Sequence, residues 1–537
     1  MASYSSPLYS MWSWWWESTS ANDQLAKSTL TISLLILAVA WLFWISAKRS
    51  APGLPPGPRG VPLLGNLPFL HPELHLHFAH LAKAHGPIFK LWLGNKLGIV
   101  ITSPSLAKQV LKDHDVTFAN RDVPAAARVI AYGGSDIVWT PYGPEWRMLR
   151  KVCVREMLSG ATLDSVYALR RREMRSTVAH IYRSAGSPIN VGEQMFLTIL
   201  NVITSMLWGG TMEGEERNSL GAEFRQVVSE ITDLLGRPNV SDFFPGLARF
   251  DLLGIQKQME GPLARFDRIF EVIIDQRLKM DKEETEEKSS SSGKGESRDF
   301  LQFLLKLKDK GTDSKTPLTM THLKALLMDM VVGGTETTSN TVEWAIAEMM
   351  QKPETLIKVQ EELAEVVGKD KVVEESHISK LHYLEAVVKE VLRLHPALPL
   401  MVPHCPAEAR VVGGYTIPKG ARVFINVWAV HRDPSIWPDP NDFDPCRFLK
   451  ADSKWDFSGN DFDYFPFGSG RRICAGIAMA ERMLMYAIGS LIHSFDWGLP
   501  EGEKGDLTEK FGIVMKKAKP LIAIPTPRLS NPELYAV

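Results

Sequence analysis

The chain has 537 residues, and its 61 lysines and arginines against 62 acidic residues give a formal net charge of −1. Because basic and acidic residues are nearly equal in number, the composition argues against nucleic-acid binding, which needs a basic surface. The four cysteines lie far apart without a CxxC pair, which excludes a disulfide framework and a zinc site and fits a reducing compartment.

The first predicted element is an apolar segment, residues 28–47, which contains no charged side chain. Twenty such residues form a helix long enough to cross the core of a bilayer. Lys48 and Arg49 follow directly, and positive charges at such a position face the cytosol. The pattern predicts a single-pass transmembrane anchor with residues 1–27 in the lumen. A cleaved signal peptide is the alternative, which the long apolar run and the basic flank on its far side argue against.

Residues 48–60 are predicted to form a proline-rich hinge, because proline fixes φ and resists helix formation. One catalytic domain is expected over residues 61–537. It begins with two short strands, Ile88–Leu93 and residues 97–101, that form a hairpin. Helical patterns then dominate, so the predicted fold class is mostly α with small β-sheets. Residues 281–298, rich in Lys, Glu, Ser and Gly, are predicted to be a disordered loop between helices.

The longest predicted helix, residues 323–350, carries the motif GGTETT at positions 333–338. Two glycines in the middle of a helix each cost about 1 kcal/mol relative to alanine. We therefore expect a flat cofactor and a small ligand to lie against them. Glu336 and Thr337 are candidates to break the helix there with a local groove and to supply protons to a bound oxygen species. A helix kink with a back-bonded threonine is the alternative.

Two pairs of residues are suited to bind or support a carboxylate. Glu390 and Arg393 share one face of a predicted helix and can join Arg447 in a buried clasp. Trp146 and Arg150 put an indole N–H and a guanidinium about one turn apart, an arrangement that suits a carboxylate ligand. For each pair the alternative is a surface ion pair or plain packing.

The most informative segment is FGSGRRICAG at positions 467–476. Its glycines allow the backbone to approach a flat group and to point N–H groups at the sulfur of Cys474. Arg472 supplies a fixed charge for a carboxylate. A sulfur ligand to haem iron, with the anionic edge of the haem nearby, needs this combination. The alternative is a buried cysteine in a glycine-rich turn.

The apolar anchor, the proline hinge, WxxxR, GGxETT, ExxR, PxRF and FxxGxRxCxG occur in one order and at one set of spacings. Together they resemble a plant microsomal cytochrome P450. Enzymes of that family are haem-thiolate monooxygenases, and the resemblance implies that this chain is held in the endoplasmic reticulum membrane with its catalytic domain facing the cytosol. Residues 239–242, 327–334 and 511–517 are similar to the group that includes cadinene hydroxylases, which act on sesquiterpenes, and some relatives that act on flavonoids.

The resemblance implies the cytochrome P450 fold and a haem b whose axial iron ligand is Cys474. The residues that it places at the haem propionates are Trp146, Arg150, His404 and Arg472. It assigns proton relay to Glu336 and Thr337, and the clasp behind the haem loop to Glu390, Arg393 and Arg447. Two positions depart from the family pattern. Cys446 stands where glutamate is usual, and His404 stands where arginine is common.

The implied reaction inserts one atom of dioxygen into a C–H or C=C bond, and the other atom leaves as water. The chain has no dinucleotide-binding fingerprint, so a separate NADPH-dependent cytochrome P450 reductase is implied as the electron donor. Arg147, Arg150, Lys151 and Arg155 form a candidate basic docking face for it, with an ordinary solvated surface as the alternative.

By analogy with the family, the substrate pocket is lined by Val138, Met330, Gly333, Leu400 and Ile513. So apolar a lining predicts a hydrophobic small molecule. It favours a sesquiterpenoid over the alternative, a flavonoid, because flavonoid hydroxyls need hydrogen-bond partners. A haem-thiolate isomerase or dehydratase and a non-catalytic carrier are the other candidates. The presence of Glu336 and Thr337 argues against both.

Overall fold

Helices make up most of the structure, as the sequence predicts. The computed structural model describes residues 21–49, 53–209, 214–287, 299–310, 316–450 and 454–536. Within these ranges the α-helices are α1 (Ala21–Arg49), α2 (Leu74–His85), α3 (Pro104–Lys108), α4 (Ala125–Ile130), α5 (Pro144–Lys151), α6 (Gly160–Ser165), α7 (Tyr167–Arg183), α8 (Val191–Trp208), α9 (Gly214–Gly236), α10 (Val240–Phe243), α11 (Ile255–Glu287), α12 (Phe300–Lys310), α13 (Met320–Gln351), α14 (Pro353–Val366), α15 (His382–Leu394), α16 (Val427–Val430) and α17 (Ile477–Ser494).

Short strands form small sheets beside the helices. The strands among the described residues are β1 (Ile88–Leu93), β2 (Lys96–Ile101), β3 (Ile189–Asn190), β4 (Arg410–Val412), β5 (Tyr415–Ile417), β6 (Arg422–Ile425), β7 (Phe495–Gly498), β8 (Glu509–Lys510), β9 (Lys516–Lys517) and β10 (Ile522–Pro527). They are ordered β1-β2-β6, β3-β10-β7, β4-β5 and β8-β9. The predicted hairpin is confirmed: β1 runs antiparallel to β2, with Leu93 opposite Lys96.

Strand β2 is the centre of the first sheet, because it also pairs in parallel with β6. Nearly all of it is buried, which suits its run of Leu, Ile and Val. His404 pairs with Val423 of β6, its N–H lying 2.9 Å from the Val423 carbonyl oxygen. The sheet therefore holds the end of the loop that leads from α15 to His404, which carries several of the predicted site residues.

Helix α13 crosses the main hydrophobic core and packs against α8, α15 and α17. Thr319 caps its N-terminus in a capping box with His322. The helix is continuous from Met320 to Gln351, so the predicted break at the glycine pair is wrong. The hydroxyl of Thr337 donates to the Gly333 carbonyl 2.9 Å away, within its own turn, and the helix stays regular there.

The predicted helices were otherwise right in position and differ in detail. The amphipathic stretch at residues 163–182 is divided between α6 and α7. The predicted loop at 281–298 is wrong for its first seven residues, which continue α11 to Glu287. Asp281 explains this: it forms an i,i+4 ion pair with Arg277 and accepts from Gln302 Nε2 of α12 at 2.9 Å. The rest of that loop lies outside the described residues.

Helix α1 contains the segment predicted as the anchor, and the first 20 residues lie outside the described part of the chain. Several large apolar side chains of α1 are exposed, among them Leu35, Leu37 and Phe43. Within the residues that could be searched, no helix combines the length and the apolar character needed to cross a membrane.

Candidate active site

The loop around Cys474 is folded so that one backbone N–H, that of Gly476, lies against the sulfur. Cys474 N–H donates to the Phe467 carbonyl at 3.0 Å, and the Gly476 N–H lies 3.3 Å from Cys474 Sγ. Glycine is required at Gly470, which has φ +69°, because a Cβ there would lie 1.9 Å from the carbonyl oxygen of Leu111. The cysteine itself is solvent-accessible, so a ligand can reach its sulfur.

Two groups favour the thiolate of Cys474. Burial by the surrounding protein raises the pKa of the thiol, and the Gly476 N–H and the charge of Arg150 oppose that rise. Arg150 Nη2 also donates to the Cys474 carbonyl at 3.3 Å. Cys153, by contrast, is fully buried, and burial raises its pKa to about 12. Only Cys474 therefore combines access with N–H and guanidinium support among the described cysteines.

Arg121, His404 and Arg472 form a cluster of cationic and donor groups beside this loop. Burial and the nearby charge of Arg472 lower the pKa of Arg121 to about 9. Arg121 Nη1 donates to the carbonyls of Val402 and Pro403, while its buried Nε has no hydrogen-bond partner among the described residues. Two crowded guanidiniums and an unused buried donor fit a group with carboxylates. The residues present therefore fit a haem with its propionates at this end.

Two of the four predicted propionate ligands, Trp146 and Arg472, are held by one turn, residues 136–140. Trp146 Nε1 donates to the Ile137 carbonyl at 3.1 Å, and Arg472 Nη1 donates to the same oxygen at 3.0 Å. The guanidinium of Arg472 also lies 4.6 Å from the centre of the Trp146 ring. Since an indole has a single N–H, that of Trp146 is satisfied by protein here. Its binding to a propionate stays a prediction.

His404 lies in the same cluster but is buried, with its Nδ1 2.9 Å from the Phe118 carbonyl oxygen. Burial and the charge of Arg121 lower the pKa of His404 well below its usual value. The ring is therefore neutral and contributes a donor rather than a charge. Arg121 supplies the charge that the usual arginine would bring, and the sequence analysis did not identify it as a site residue.

One face of α13 carries the groups predicted to act on oxygen. Asp329, Gly333, Glu336 and Thr337 follow at i, i+4, i+7 and i+8, which is one side of a helix. Gly333 is exposed, and a Cβ there would meet nothing within 4 Å, so this face borders open space. Gly334 instead packs on Ile203 of α8, where an added Cβ would lie 3.0 Å from the Ile203 Cδ1.

Glu336 has a basic neighbour that the sequence analysis missed. Lys516 Nζ of β9 lies 3.6 Å from Glu336 Oε1. Burial raises the pKa of Glu336, and the charge of Lys516 works in the opposite direction. The partners are 180 residues apart, so no local pattern could have indicated them.

Asp329 was also missed as a site residue, although it is a lone acid inside an apolar run. Its Oδ2 accepts the Ile137 N–H at 2.9 Å. Burial and the charge of Asp136 raise its pKa well above the usual value. Burial also raises the pKa of Asp136 to about 6. The two acids thus hold the N–H groups of the turn whose carbonyls bind Trp146 and Arg472.

The three residues predicted to form the clasp meet in the structure. Glu390 accepts from Arg393 Nε and Nη2 at 2.7 and 2.8 Å, and from Arg447 Nε at 3.3 Å. Neither Glu390 nor Arg393 is exposed at all. The N–H of Asp444 donates to Glu390 at 2.8 Å, and Cys446 is exposed outside the cluster. The clasp therefore forms without the glutamate that usually occupies position 446.

The five predicted pocket residues do not form one closed lining. Met330 and Leu400 are buried in different hydrophobic clusters, and Ile513 is 44% exposed. Val138 is half-buried and Gly333 borders the open space described above. The segments of Leu400 and Ile513 nevertheless meet, because Met515 N–H donates to the Ala397 carbonyl at 2.8 Å.

Met401 connects that region to the cysteine loop. It holds a left-handed backbone with φ +53°, which side chains rarely adopt. A Cβ on Gly468 would lie 2.6 Å from Met401 Cε, so its methyl group covers the glycine of the cysteine loop.

The predicted docking face is only partly exposed. Arg147, Lys151 and Arg155 lie on the surface of α5 and of the π-helical turn that follows it. Arg150 does not belong to this surface, because its guanidinium turns inward to the carbonyl of Cys474.

Comparison with known proteins gives one consistent family. The family profile described as Cytochrome P450 matches residues 55–524. The chain is 39% identical to a flavonoid 3'-monooxygenase of Crocosmia x crocosmiiflora, covering 94% of this chain and 98% of the relative. It is 38% identical to a geraniol 8-hydroxylase of Swertia mussotii, over 93% and 100%. Carnosic acid synthase of Salvia pomifera is 37% identical, over 92% and 99%.

A solved structure shares the fold as well. A zebrafish cytochrome P450 determined with progesterone superposes with a TM-score of 0.72 at 26% identity, covering 84% of this chain and 99% of that one. A match over most of the chain, relatives well above 30% identity and a cysteine loop that fits a haem ligand agree. The chain belongs to the cytochrome P450 family of haem-thiolate monooxygenases.

Proposed function

We propose that this enzyme hydroxylates a flavonoid in the plant endoplasmic reticulum. The observation that carries the proposal is Asp329, a carboxyl group on the face of α13 that borders open space at Gly333. Burial and Asp136 raise its pKa, which favours the protonated carboxyl, and that form can both donate to and accept from a hydroxyl. A terpene hydrocarbon gains nothing from such a group, whereas a polyhydroxylated ring system does.

The relatives support the same substrate. Flavonoid 3'-monooxygenases from Crocosmia, Petunia and Arabidopsis are 39%, 37% and 36% identical to this chain. They favour the flavonoid alternative over the sesquiterpenoid expected from the apolar lining. Geraniol 8-hydroxylases from two plants are 38% and 37% identical, so an oxygenated monoterpene is the second candidate.

When bound, haem b would supply the oxygen chemistry, the insertion of one atom of dioxygen into the substrate with release of the other as water. Cys474 is proposed to hold its iron through the sulfur. The Gly476 N–H and Arg150 favour the thiolate form of that ligand. Arg121, Arg472, His404, Trp146 and Arg150 are proposed to bind its propionates, and the buried clasp holds the chain behind the cysteine loop.

Glu336 and Thr337 are proposed to move protons. The Thr337 hydroxyl donates its hydrogen bond to the Gly333 carbonyl. The Thr337 oxygen is therefore free to accept a hydrogen bond from a water or a ligand. Burial raises the pKa of Glu336, and Lys516 lowers it, so the carboxyl can both hold and release a proton.

Electrons are proposed to come from an NADPH-dependent cytochrome P450 reductase. The exposed Arg147, Lys151 and Arg155 lie on α5 and the turn after it, whose Arg150 contacts the cysteine loop. A cationic surface so close to Cys474 suits an acidic electron donor.

Membrane association is proposed to use α1 as a single-pass anchor, with residues 1–27 in the lumen and the catalytic domain in the cytosol. A second apolar surface supports it. Two loops joined through the turn at Gly94 and Asn95 carry exposed apolar side chains. These are Leu63, Leu64, Phe69, Leu247, Phe250, Leu252 and Leu253. So much exposed apolar area on neighbouring loops fits contact with lipid.

The experiment is a substrate panel. The full chain is expressed with a plant reductase, and spectral binding and product formation are measured with flavonoids, geraniol and cadinene. We expect flavonoids to shift the haem spectrum and to be hydroxylated. Turnover of geraniol or cadinene without any of a flavonoid would overturn the proposal. Asp329→Leu is expected to raise the dissociation constant of the flavonoid and leave that of an apolar ligand unchanged.

A further inference from the structure

One buried carboxylate near the C-terminus binds side chains from three other parts of the chain, around residues 75, 395 and 428–432. Glu509 of β8, only 12% exposed, lies with Oε2 3.2 Å from His75 Nε2 and 3.0 Å from Trp428 Nε1. Its Oε1 lies 2.9 Å from His395 Nδ1 and 3.4 Å from Arg432 Nη2. A carboxylate has room for about four donors, and here all four come from side chains of other elements.

The surroundings keep Glu509 ionised. Burial raises its pKa, but hydrogen bonds from His395 and His75 and the charge of Arg432 outweigh burial and hold the pKa well below its usual range. Arg432 also lies 4.1 Å from the centre of the Trp428 ring. The cluster is therefore a fixed anchor rather than a loose surface pair.

The anchor stands at the beginning of the segment 511–515, which includes the predicted pocket residue Ile513. The ring of Phe511 stacks on His75 with centroids 5.5 Å apart, and its N–H donates to Glu73 at 2.8 Å. At the other end, Met515 is held by Ala397 at 2.8 Å and by Asn340 Nδ2 of α13 at 3.3 Å. Both ends of a short span are thus fixed, with Ile513 between them.

The anchor also reaches the helix that carries the proton-relay residues. His395 Nε2 lies 2.7 Å from Glu348 of α13, so this ring stands between two carboxylates. Its face stacks on Trp344 of the same helix, with centroids 3.8 Å apart. The position of the 511–515 span is therefore tied to α13 at both of its ends.

We propose that Glu509 is a positioning residue for the substrate: through His75 and Phe511 it sets where the 511–515 span lies against the substrate. The inference rests on the proposed function, which puts this span beside the substrate. Loss of the charge of Glu509 would leave His75, His395 and Arg432 without their shared acceptor. The Phe511 end of the span would then keep the Glu73 hydrogen bond and the β8–β9 pairing, but it would lose the fixed position of the His75 ring on which Phe511 stacks.

The test compares Glu509→Gln with Glu503→Gln, an exposed acid six residues earlier in the same segment. In the haem-loaded full chain we expect Glu509→Gln to raise the flavonoid KM about tenfold or more, because a displacement of about 1 Å in a binding wall costs that much. We expect kcat to change less than KM, and the carbon monoxide difference spectrum of the reduced enzyme to keep its shape. Glu503→Gln is expected to match the parent enzyme.

Two further measurements separate positioning from general loss of structure. Phe511→Ala removes the stacking contact without touching a charge. The KM of the double variant with Glu509→Gln should not exceed that of the more impaired single variant, because both substitutions act through one contact. Additive effects in the cycle would overturn the proposal, as would an unchanged KM in Glu509→Gln.

Hydrogen exchange gives a readout that needs no substrate. We expect peptides covering 511–515 to exchange faster in Glu509→Gln than in Glu503→Gln, while peptides of α13 exchange at the parent rate. Equal exchange rates of these peptides in the two variants would overturn the proposal that Glu509 fixes the 511–515 span. If no flavonoid binds the parent enzyme, the proposed substrate fails, and the exchange result still decides the role of Glu509.

Discussion

The clasp gives the sharpest stability prediction. Glu390→Gln keeps the shape of the side chain but removes its charge, and an amide NH₂ then faces two guanidiniums. Glu390 accepts from Arg393 at 2.7 and 2.8 Å, from Arg447 at 3.3 Å and from the Asp444 N–H at 2.8 Å. None of the Glu390 side chain is exposed, so water cannot replace the lost acceptor.

Removing one partner of a buried ion pair costs about 3–5 kcal/mol, because the other charge stays buried without compensation. Two arginines are left here, which puts the expected loss at the upper end of about 3–5 kcal/mol. A typical domain is stable by about 5–15 kcal/mol, so the variant should retain less haem when expressed at 37 °C.

The assay is urea unfolding of the haem-loaded enzyme, followed by the Soret band and by tryptophan fluorescence. The matched control is Glu385→Gln on the same helix, whose carboxylate is 39% exposed and pairs with Lys389 at 2.7 Å. An exposed pair of this kind is worth about 0.2–1 kcal/mol. If Glu390→Gln unfolds within about 1 kcal/mol of that control, the reasoning about buried charge is wrong.

Four further outcomes are expected. Cys474→Ser should abolish the thiolate-type carbon monoxide difference spectrum of the reduced enzyme; an unchanged spectrum would remove the ligand assignment. Thr337→Ala should keep that spectrum but lower the product formed per NADPH about tenfold or more, with peroxide rising instead, and unchanged coupling would contradict the proton relay. Asp136 and Asp329 both have a raised pKa, which is about 6 for Asp136, so the folded state binds extra protons and stability falls as pH rises above 3.8, the ordinary pKa of an aspartate. Asp329→Asn should flatten that decline in urea midpoints measured from about pH 4 upward, and parallel curves would refute it. Deleting residues 1–49 should move much of the protein from the membrane pellet to the supernatant after centrifugation, and complete retention would contradict the anchor.

Local patterns predicted the local structure well. The β1–β2 hairpin, the long α13 helix and the pairing of Glu390 with Arg393 all follow from spacing and hydrophobic period. The motif around Cys474 indicated the glycine-lined loop, because its φ values and N–H geometry depend on neighbours in sequence.

Contacts between distant segments could not be predicted in the same way. Glu509 and His75 are 434 residues apart, and Arg121 binds a carbonyl 281 residues away. Each is an ordinary charged residue in its own segment, and only the fold brings it to its partner. The break expected at Gly333 failed for the opposite reason, since the Thr337 hydroxyl bonds within its own turn and leaves the helix regular.

The backbone of Met401 bears on how this enzyme could be redesigned for another substrate. A saturation library at position 401 would lose its β-branched members first, because a φ of +53° is least compatible with a branched side chain. The same side chain covers Gly468, so a bulkier replacement would also press on the cysteine loop. Positions 400 and 513 have no positive φ and lie on either side of the contact between Met515 and Ala397. Libraries that vary those two and leave Met401 intact should yield more folded variants with altered selectivity.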